Sequence, residues 1–246
     1  MDRGFWITWY DLLDDGREDY LSWLHESYMP GLLKRPGFLW AAHYACVRKE
    51  SRPVTQRESA LNRTNDVTVP TGSSFILLAG ARHVNVFADP VPSALHAGLP
   101  AAGRKMLALR TGERVNIMAE AARVEGPEAQ HYADGMALAP CIQLGSFNCA
   151  YQHEEEMLGW YAQWRMPAMR KTPGCIRTRR LASVAGWAKH GVLYEFTSLD
   201  ARNQYFVAHE DRDPAMKAWS DRMVQRLVHA PGSSYLACRT WPAVSD

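Results

Sequence analysis

The chain repeats itself at one fixed spacing, and this repeat limits its architecture more than any other feature. Segments 18–37 and 155–174 share eight identities at an offset of 137; in the first copy these are Glu18, Leu21, Trp23, Met29, Pro30, Lys34, Pro36 and Gly37. Eight matches in one register are improbable by chance, and a fixed period is a sign of repeated structural units. The sequence therefore predicts two similar half-domains, residues 1–127 and 138–246.

Composition excludes several classes of partner. Of the 246 residues, 47% are hydrophobic and 22% are charged, as in an ordinary globular protein, and the net charge is +2. A charge this small gives no general attraction for nucleic acid or for a membrane surface. No run approaches the roughly 20 apolar residues of a membrane span, and the first residues lack the layout of a signal peptide. We expect a cytoplasmic protein with neither nucleic-acid nor membrane partners.

Each copy is predicted to fold in the order βαββαβ. The first helix has one apolar stripe, because Leu21, Leu24, Tyr28 and Leu32 recur at spacings of three and four. Pro36-Gly37 ends that helix near residue 35. The predicted strands are 4–10, 38–47, 75–81 and 114–124, then 141–150, 175–182, 192–197 and 234–241. The other predicted helical regions are 92–109, 154–171, 199–209 and 214–229.

The predicted strands are apolar on both faces. Residues 5–10 and 38–44 do not alternate between apolar and polar side chains, as the strands of a sheet with one wet face would. Helices of the same copy cover only one face of each sheet. The sequence therefore predicts an α+β fold in which the two βαββαβ repeats pack their antiparallel sheets together.

The first copy also carries roughly 21 residues that the second copy lacks. This insertion falls within 49–73, is polar and is longer than a hairpin requires. Two interpretations stay open: a mobile lid over a pocket, or a surface decoration.

The first helix carries a family resemblance. The pattern Trp23-x4-Tyr28-x-Pro30-x5-Pro36-Gly37-Phe38-x2-Ala41-x2-Tyr44 resembles the first-helix signature of the dimeric α/β-barrel superfamily of ferredoxin-like domains, near its EthD-like and stress-responsive branches. The segment Tyr194-Glu195-Phe196-x-Ser198-Leu199 resembles the ending of its third strand. The resemblance implies that two units, which relatives usually take from two chains, form the barrel here within one chain. Members include monooxygenases, isomerases, polyketide cyclases and decarboxylating and haem-handling enzymes, so the fold does not fix the chemistry.

The sequence departs from the family at one functional position. Many relatives carry a His two residues before the Pro of the first helix, where this chain has Tyr28 and Arg165. A mechanism built on that His does not transfer. His25 is three residues earlier, and on a helix it points about 60° away from that direction.

Arg165 is predicted to face the sheet, where a guanidinium needs a partner. Two partners stay open. One is an internal carboxylate, with Glu195 as the first candidate. The other is an acidic substrate or a developing oxyanion. Arg177 and Arg179 share one face of their strand, where the first copy has Trp40 and Ala42. The second copy is therefore predicted to hold a basic pocket.

Other polar residues complete the predicted site. We predict His43, Asp11, His25 and Tyr28 as catalytic residues and Arg165, Arg177, Arg179, Tyr10, Trp40, Asn148 and Glu195 as substrate-binding residues. A His has a pKa near neutrality and suits proton transfer, although His43 could also be held by a backbone carbonyl inside the barrel. Asp11 and Asn148 are equivalent at the offset of 137; Asp11 could act as a base, or both could form turns.

Standard cofactor motifs do not occur in the sequence. It contains no G-x-G-x-x-G, P-loop, G-x-S-x-G or H-E-x-x-H pattern. The five cysteines are scattered without a C-x-x-C pair and are interpreted as small core residues. We expect no cofactor and no metal site. Homodimerisation stays open, because two-fold dimers are common but an internal barrel removes the reason for which relatives dimerise.

Three functional hypotheses follow. The first, which we favour, is a cofactor-independent enzyme that acts on a small aromatic or apolar acid by proton transfer, as a lyase, isomerase or decarboxylase. The second is a cofactor-free monooxygenase whose substrate supplies the reducing power. The third is a non-catalytic carrier of a hydrophobic ligand. Consumption of oxygen separates the first two.

Overall fold

A computed structural model of the chain describes residues 1–51, 56–132, 138–207, 209 and 213–244. The strands are β1 (Gly4–Leu12), β2 (Phe38–Cys46), β3 (Phe75–Ala81), β4 (Arg110–Glu125), β5 (Cys141–Cys149), β6 (Cys175–Ala185), β7 (His190–Phe196), β8 (Leu227–His229) and β9 (Tyr235–Trp241). Part of the predicted insertion (residues 52–55) and part of the link between the halves (133–137) lie outside the described residues. The predicted half-domain bounds stay a prediction.

The helices lie between the strands. Helix α1 consists of Arg17–Trp23, a π-helical turn at Leu24–Tyr28 and Met29–Leu33; α2 is Pro92–Ala97 and α3 is Ala101–Leu107. Helix α4 consists of Tyr151–Trp160, a π-helical turn at Tyr161–Arg165 and Met166–Met169; α5 is Leu199–Ala201 with a π-helical turn at Arg202–Phe206, and α6 is Pro214–Arg226. Short helical turns occur at Lys49–Ser51, Gln56–Ser59, Val84–Phe87 and Ala129–His131.

The π-helical turns of α1 and α4 occupy equivalent places in the two halves. Each turn lies just before a Met-Pro pair, whose Pro is Pro30 in α1 and Pro167 in α4. A Pro inside a helix has no N–H to donate and its ring clashes with the carbonyl four residues earlier, so the helix widens locally before it. The repeat seen in the sequence is therefore also a repeat of an unusual backbone feature.

The strands form one closed antiparallel barrel. Eight strands follow one another in the order β7-β6-β4-β1-β3-β2-β9-β5, and β5 pairs with β7 to close the ring, while β8 adds to β5. The first half contributes the order β4-β1-β3-β2 and the second the matching order β9-β5-β7-β6. The halves meet where β4 pairs with β6 and where β2 pairs with β9. The predicted α+β barrel of two ferredoxin-like repeats is confirmed.

The core has three apolar layers. The barrel interior holds side chains from both halves, among them Phe5, Trp9, Ile142 and Leu193. One outer layer lies between the first half-sheet and α1, and the other lies between the second half-sheet and α4 and α6. Both faces of β1 are thus covered, which explains why its sequence does not alternate.

Two predicted helices are wrong in their extent. The region 92–109 is two helices, because Pro100 disfavours helical backbone at the residue before it and lacks an N–H for the next turn. The helix predicted for 214–229 ends at Arg226, and Leu227–His229 is strand β8. Its backbone pairs with β5, and this pairing outweighs the local helical pattern.

A network of buried charges closes one end of the barrel interior. Arg179 is fully buried, and its guanidinium donates to Glu195 Oε2 at 2.9 Å, to Glu120 Oε2 at 2.8 Å and to Asp2 Oδ1 at 3.1 Å. Arg177 lies 3.7 Å from Glu195 Oε1 and pairs with Glu125 at 3.1 Å. Burial raises the pKa of Glu195, and Arg179 opposes this effect.

Removing Arg179 should destabilise the fold strongly. Arg179→Ala would leave three carboxylates without their shared partner, so we expect the free energy of unfolding to fall by about 3–5 kcal/mol in urea denaturation. Lys217→Ala, which removes an exposed pair with Asp221, is the control and should change stability by at most about 0.5 kcal/mol. Equal effects of the two substitutions would contradict a structural role for Arg179.

Candidate functional site

The predicted site residues fall in three separate places. The outer layer of the first half holds Tyr10, His25, Tyr28 and His43, the barrel interior holds Trp40, Arg177, Arg179 and Glu195, and the outer layer of the second half holds Arg165. Asp11 and Asn148 anchor loops at strand ends. The structure therefore does not bring the predicted residues together in one pocket.

In the first half, three predicted residues form a hydrogen-bonded chain. His43 is fully buried; its Nδ1 lies 2.9 Å from His25 Nε2, and its Nε2 lies 2.8 Å from the hydroxyl of Tyr10. Thr240 Oγ1 lies 3.0 Å from the same Nδ1. Burial is the main reason why the pKa of His43 is well below its ordinary value, and the charges of His25 and Arg110 lower it further. His43 is therefore neutral.

Arg110 packs among the aromatic rings beside this hydrogen-bonded chain. Its guanidinium carbon lies 4.6 Å from the ring centre of Tyr10 and 6.0 Å from that of Tyr28. Its Nε donates to the Tyr20 hydroxyl at 2.7 Å, and Glu113 pairs with it at 2.8 Å. The aromatic rings and the guanidinium stabilise one another, so this region is a packed polar core.

The other strand-end residues have structural partners. Asp11 Oδ1 accepts hydrogen bonds from the backbone N–H groups of Ser73 at 2.9 Å and Ser74 at 2.7 Å. Asn148 Oδ1 accepts one from the backbone N–H of Lys189 at 2.7 Å. These are the contacts of turn-forming residues, which was one of the two interpretations of the sequence. Trp40 Nε1 donates to Asp2 Oδ2 at 2.9 Å inside the barrel.

The second half contains a cavity between its sheet and its helices. Its enclosed part has a volume of about 100 Å³. It is lined by Glu58, Leu61, Gln143, Gly145, Phe147, Trp160, Tyr161, Arg165, Val192, Tyr194, Arg202, Phe206, Val207, His209, Val224, Leu227, His229 and Ser234. We call this cavity the second-half pocket. This volume is smaller than the cavity of about 150 Å³ that holds a benzene molecule, so an aromatic ligand would extend through the mouth.

Arg165 and Arg202 bring two guanidiniums to the second-half pocket, and Glu58 brings one carboxylate. Arg165 Nε donates to the Tyr194 hydroxyl at 2.7 Å, and Arg202 donates to Gln143 Oε1 at 2.9 Å and 2.6 Å. Each guanidinium carbon lies 5.5 Å from the ring centre of Phe206. Both cations therefore pack against the same aromatic ring. Arg165 does not use Glu195, which is paired with Arg177 and Arg179.

A histidine stands beside the two guanidiniums. His209 is buried, its ring is stacked on Phe206 at 4.7 Å between centres, and its Nδ1 bonds the carbonyl oxygen of Phe206. A carbonyl only accepts, so Nδ1 carries a proton. Burial raises the pKa values of Tyr161 and Tyr194, which therefore stay neutral hydroxyl groups.

Smaller side chains on β5 explain why the second half has a pocket. At the offset of 137, Trp6 and Thr8 of β1 correspond to Gln143 and Gly145 of β5. Trp6 packs in the outer layer of the first half, whereas Gln143 and Gly145 line the second-half pocket. The loss of an indole and a methyl-bearing side chain opens space next to β5. In the first half, a cavity of about 590 Å³ lies instead between α1, α2 and α3.

The insertion of the first half forms part of the pocket wall in the second half. The backbone N–H of Thr64 donates to the carbonyl of His229 at 2.9 Å, and that of His229 donates to the carbonyl of Asn62 at 2.8 Å. Arg63 Nε donates to the carbonyl of Ser233 at 3.1 Å. These bonds hold Glu58 and Leu61 against the pocket. The described part of the insertion therefore covers a pocket, and it does so in the other half of the molecule.

Sequence reasoning missed most of the pocket. Arg202, His209 and Phe206 lie on or next to α5, where they follow no recognisable motif. Gln143 and Gly145 could have been found, because the offset of 137 sets them against Trp6 and Thr8 and so marks a place where bulk is lost.

Comparisons with known proteins support the fold. No protein-family model matches the chain, and no curated protein matches it by sequence. An anthrone oxidase-like protein superposes with a TM-score of 0.59 at 13% identity, over 98% of this chain and 92% of that chain. A candidate monooxygenase from Fusobacterium nucleatum subsp. nucleatum gives 0.58 at 7% identity, over 97% and 92%. A candidate chlorite dismutase gives 0.52 at 13% identity, over 98% and 96%. At such low identities the likeness establishes the shared barrel fold alone.

The described residues contain neither a cluster suited to a metal ion nor a helix suited to a membrane. No three His, Cys, Asp or Glu side chains among them converge in a way that could hold a metal ion. No helix within the same part of the chain has the length and apolar character needed to cross a membrane.

The pH dependence of stability should report on His229, which lines the second-half pocket. Burial lowers its pKa from 6.5 to about 4. The unfolded chain therefore takes up the proton first, and stability is retained above about pH 6.5 and lost as the pH falls toward about 4. The difference between these two pKa values corresponds to at most about 3 kcal/mol of the free energy of unfolding.

Urea denaturation of the wild type and of His229→Gln at about pH 7 and about pH 5 tests this expectation. The wild type should lose more stability on acidification than the variant, since Gln does not titrate. An identical loss in both proteins would show that His229 is not held neutral by the fold.

Proposed function

We propose that this protein is a cofactor-independent enzyme that binds an anionic aromatic compound in the second-half pocket and oxidises it with dioxygen. The observation that carries the proposal is the pair of guanidiniums, Arg165 and Arg202, whose carbons each lie 5.5 Å from the ring centre of Phe206 in the wall of this pocket. Guanidiniums hold carboxylates, phenolates and enolates by charge-assisted hydrogen bonds. The aromatic walls favour a flat apolar ligand.

The chemistry needs a base, an anion-stabilising group and exclusion of water. In the proposed reaction His209 Nε2 removes a proton from an acidic CH₂ group of the substrate, and the guanidiniums stabilise the oxyanion that results. The carbanion form of that anion adds dioxygen to give a hydroperoxide anion, which takes the proton back from His209. Removal of the remaining C–H proton then breaks the O–O bond, so that water leaves and a carbonyl is formed. The balance is R₂CH₂ + O₂ → R₂C=O + H₂O, and the substrate supplies all the electrons.

The structural neighbours favour oxidation over the proton-transfer reactions expected first. One neighbour is described as anthrone oxidase-like and another as a candidate monooxygenase. Both share the barrel with this chain across more than nine-tenths of its length. Isomerase, lyase and decarboxylase chemistry would use the same base and guanidiniums without consuming oxygen, and a carrier would bind without turnover.

Oxygen uptake tests the reaction class. The probes are anthrone and the smaller 2-indanone, which both have an acidic CH₂ beside an aromatic ring. Protein shown by absorption spectrum and metal analysis to be free of haem and metal should consume one O₂ per molecule of ketone product. If a protein that still binds benzoate through Arg165 consumed no oxygen with either probe, the oxygenase proposal would be wrong. A proton-transfer enzyme or a non-catalytic ligand carrier would then remain.

Substitutions in the pocket test the binding site. Arg165→Met removes one charged hydrogen-bonding group and should weaken benzoate binding by about 10- to 100-fold in calorimetry, the usual worth of such a contact. Arg104→Met, an exposed guanidinium on α3, is the matched control and should bind like the wild type. Benzoate affinity that is equal in all three proteins would place the ligand elsewhere.

A second variant fills part of the second-half pocket and leaves the guanidiniums of Arg165 and Arg202 in place. Gly145→Thr gives β5 the side chain that β1 has at Thr8. A Cβ at Gly145 lies 3.2 Å from Val192 Cγ1, so the added group fits only if Val192 shifts slightly. We expect weaker benzoate binding with a retained fold by circular dichroism. Unchanged affinity would mean that the ligand does not reach β5.

A further inference from the structure

Two cysteines face each other across neighbouring strands of the barrel. Cys141 on β5 is the direct partner of Cys238 on β9. In the adjacent pair, the backbone N–H of Arg239 donates to the carbonyl of Pro140 at 2.9 Å. Hydrogen-bonded and non-hydrogen-bonded pairs alternate along an antiparallel ladder, so Cys141 and Cys238 form a non-hydrogen-bonded pair.

This position suits a disulfide. Cα atoms in non-hydrogen-bonded pairs lie about 4.5 Å apart, with side chains close together, and disulfides span Cα distances of about 4.4–6.8 Å. Both thiols lie on the helix side of the sheet, where Cys141 belongs to the second outer layer and Cys238 packs against it. Closure of an S–S bond therefore requires little backbone movement.

The two thiols are chemically unequal. Cys141 is buried, whereas Cys238 is partly exposed. The Cys141 thiol donates a hydrogen bond to the Cys238 sulfur, which lowers the pKa of Cys238 to about 7. A cysteine with a lowered pKa is partly thiolate at neutral pH, and the thiolate is the reactive form.

We infer that Cys141 and Cys238 are a redox site in which hydrogen peroxide oxidises Cys238 and Cys141 then closes a cross-strand disulfide. The Cys238 thiolate attacks one peroxide oxygen, the O–O bond breaks, and hydroxide leaves to give a sulfenic acid. The Cys141 sulfur then attacks the Cys238 sulfur, the S–O bond breaks, and water leaves. Two thiols and one peroxide thus give one disulfide and two waters.

The site adjoins the pocket but does not depend on the proposed function. Cys141 lies two residues before Gln143 on the same face of β5, and Gln143 holds Arg202. The oxidation itself needs only the pairing of β5 with β9 and an external peroxide, so it is testable whether or not the protein is an oxygenase.

Mass spectrometry of the full-length protein tests the inference. After treatment with hydrogen peroxide and alkylation of remaining thiols, a peptide cross-link between Cys141 and Cys238 should form and should disappear with dithiothreitol. Cys238→Ser should abolish it. Cys149→Ser is the control, because it removes a partly exposed thiol on β5, the strand of Cys141. It should leave the cross-link unchanged.

A measurement on the unmodified protein covers the case in which Cys238→Ser does not fold. The rate of iodoacetamide labelling of Cys238 should rise with a midpoint near pH 7, well below the ordinary thiol value of about 8.5. The inference is overturned if peroxide first modifies Cys46 or Cys149, if Cys238 is oxidised further without a cross-link, or if its labelling follows an ordinary thiol.

Discussion

The structure depends on the mutual cover of two sheets that are apolar on both faces. Each half-sheet has one face buried by its own helices, and the other face would meet water if the half stood alone. Pairing of β4 with β6 and of β2 with β9 joins the half-sheets into one ring, so that Phe5, Trp9, Ile142 and Leu193 share one interior. The closed ring leaves no free sheet edge among the eight strands.

Because side chains of both halves fill the barrel interior, a ligand would bind in the layers between the sheet and the helices. The two halves differ in these outer layers. The first half packs Trp6 and Arg110 between its sheet and its helices. The second half has Gln143 and Gly145 on the equivalent strand, and its guanidiniums surround a cavity. The insertion of the first half completes the wall of that cavity. The two halves therefore keep one fold but differ in where they leave space, which is next to β5 in the second half and between α1, α2 and α3 in the first.

The fold could be predicted from the sequence because the relevant signals are local and repeated. The offset of 137, the apolar stripe of α1 and the two-sided strands each follow from residues close in the chain. The site could be predicted only in part. The position of Arg165 facing the sheet could be predicted from the pattern of one helix, whereas the partners of Arg177 and Arg179 depend on where Asp2 and Glu120 lie in three dimensions.

The hydrogen-bonded chain of His43, His25 and Tyr10 shows the same limit. The sequence analysis predicted His43 and His25 as catalytic and Tyr10 as substrate-binding, and the structure places the three side chains in contact. The sequence pattern gave no information on Arg110. This residue lies on β4, far from Tyr10 in the sequence, and packs beside the Tyr10 ring. Long-range packing thus decides which polar cluster is core and which is pocket.

The position of a bound aromatic anion is the most direct test of this account. Crystals of the full chain soaked with 4-bromobenzoate and measured at the bromine absorption edge would locate the ligand by its anomalous signal. The account predicts one bromine in the second-half pocket, with the carboxylate on Arg165 or Arg202. A bromine beside His25 and Tyr28, or inside the barrel beside Arg177 and Arg179, would contradict it.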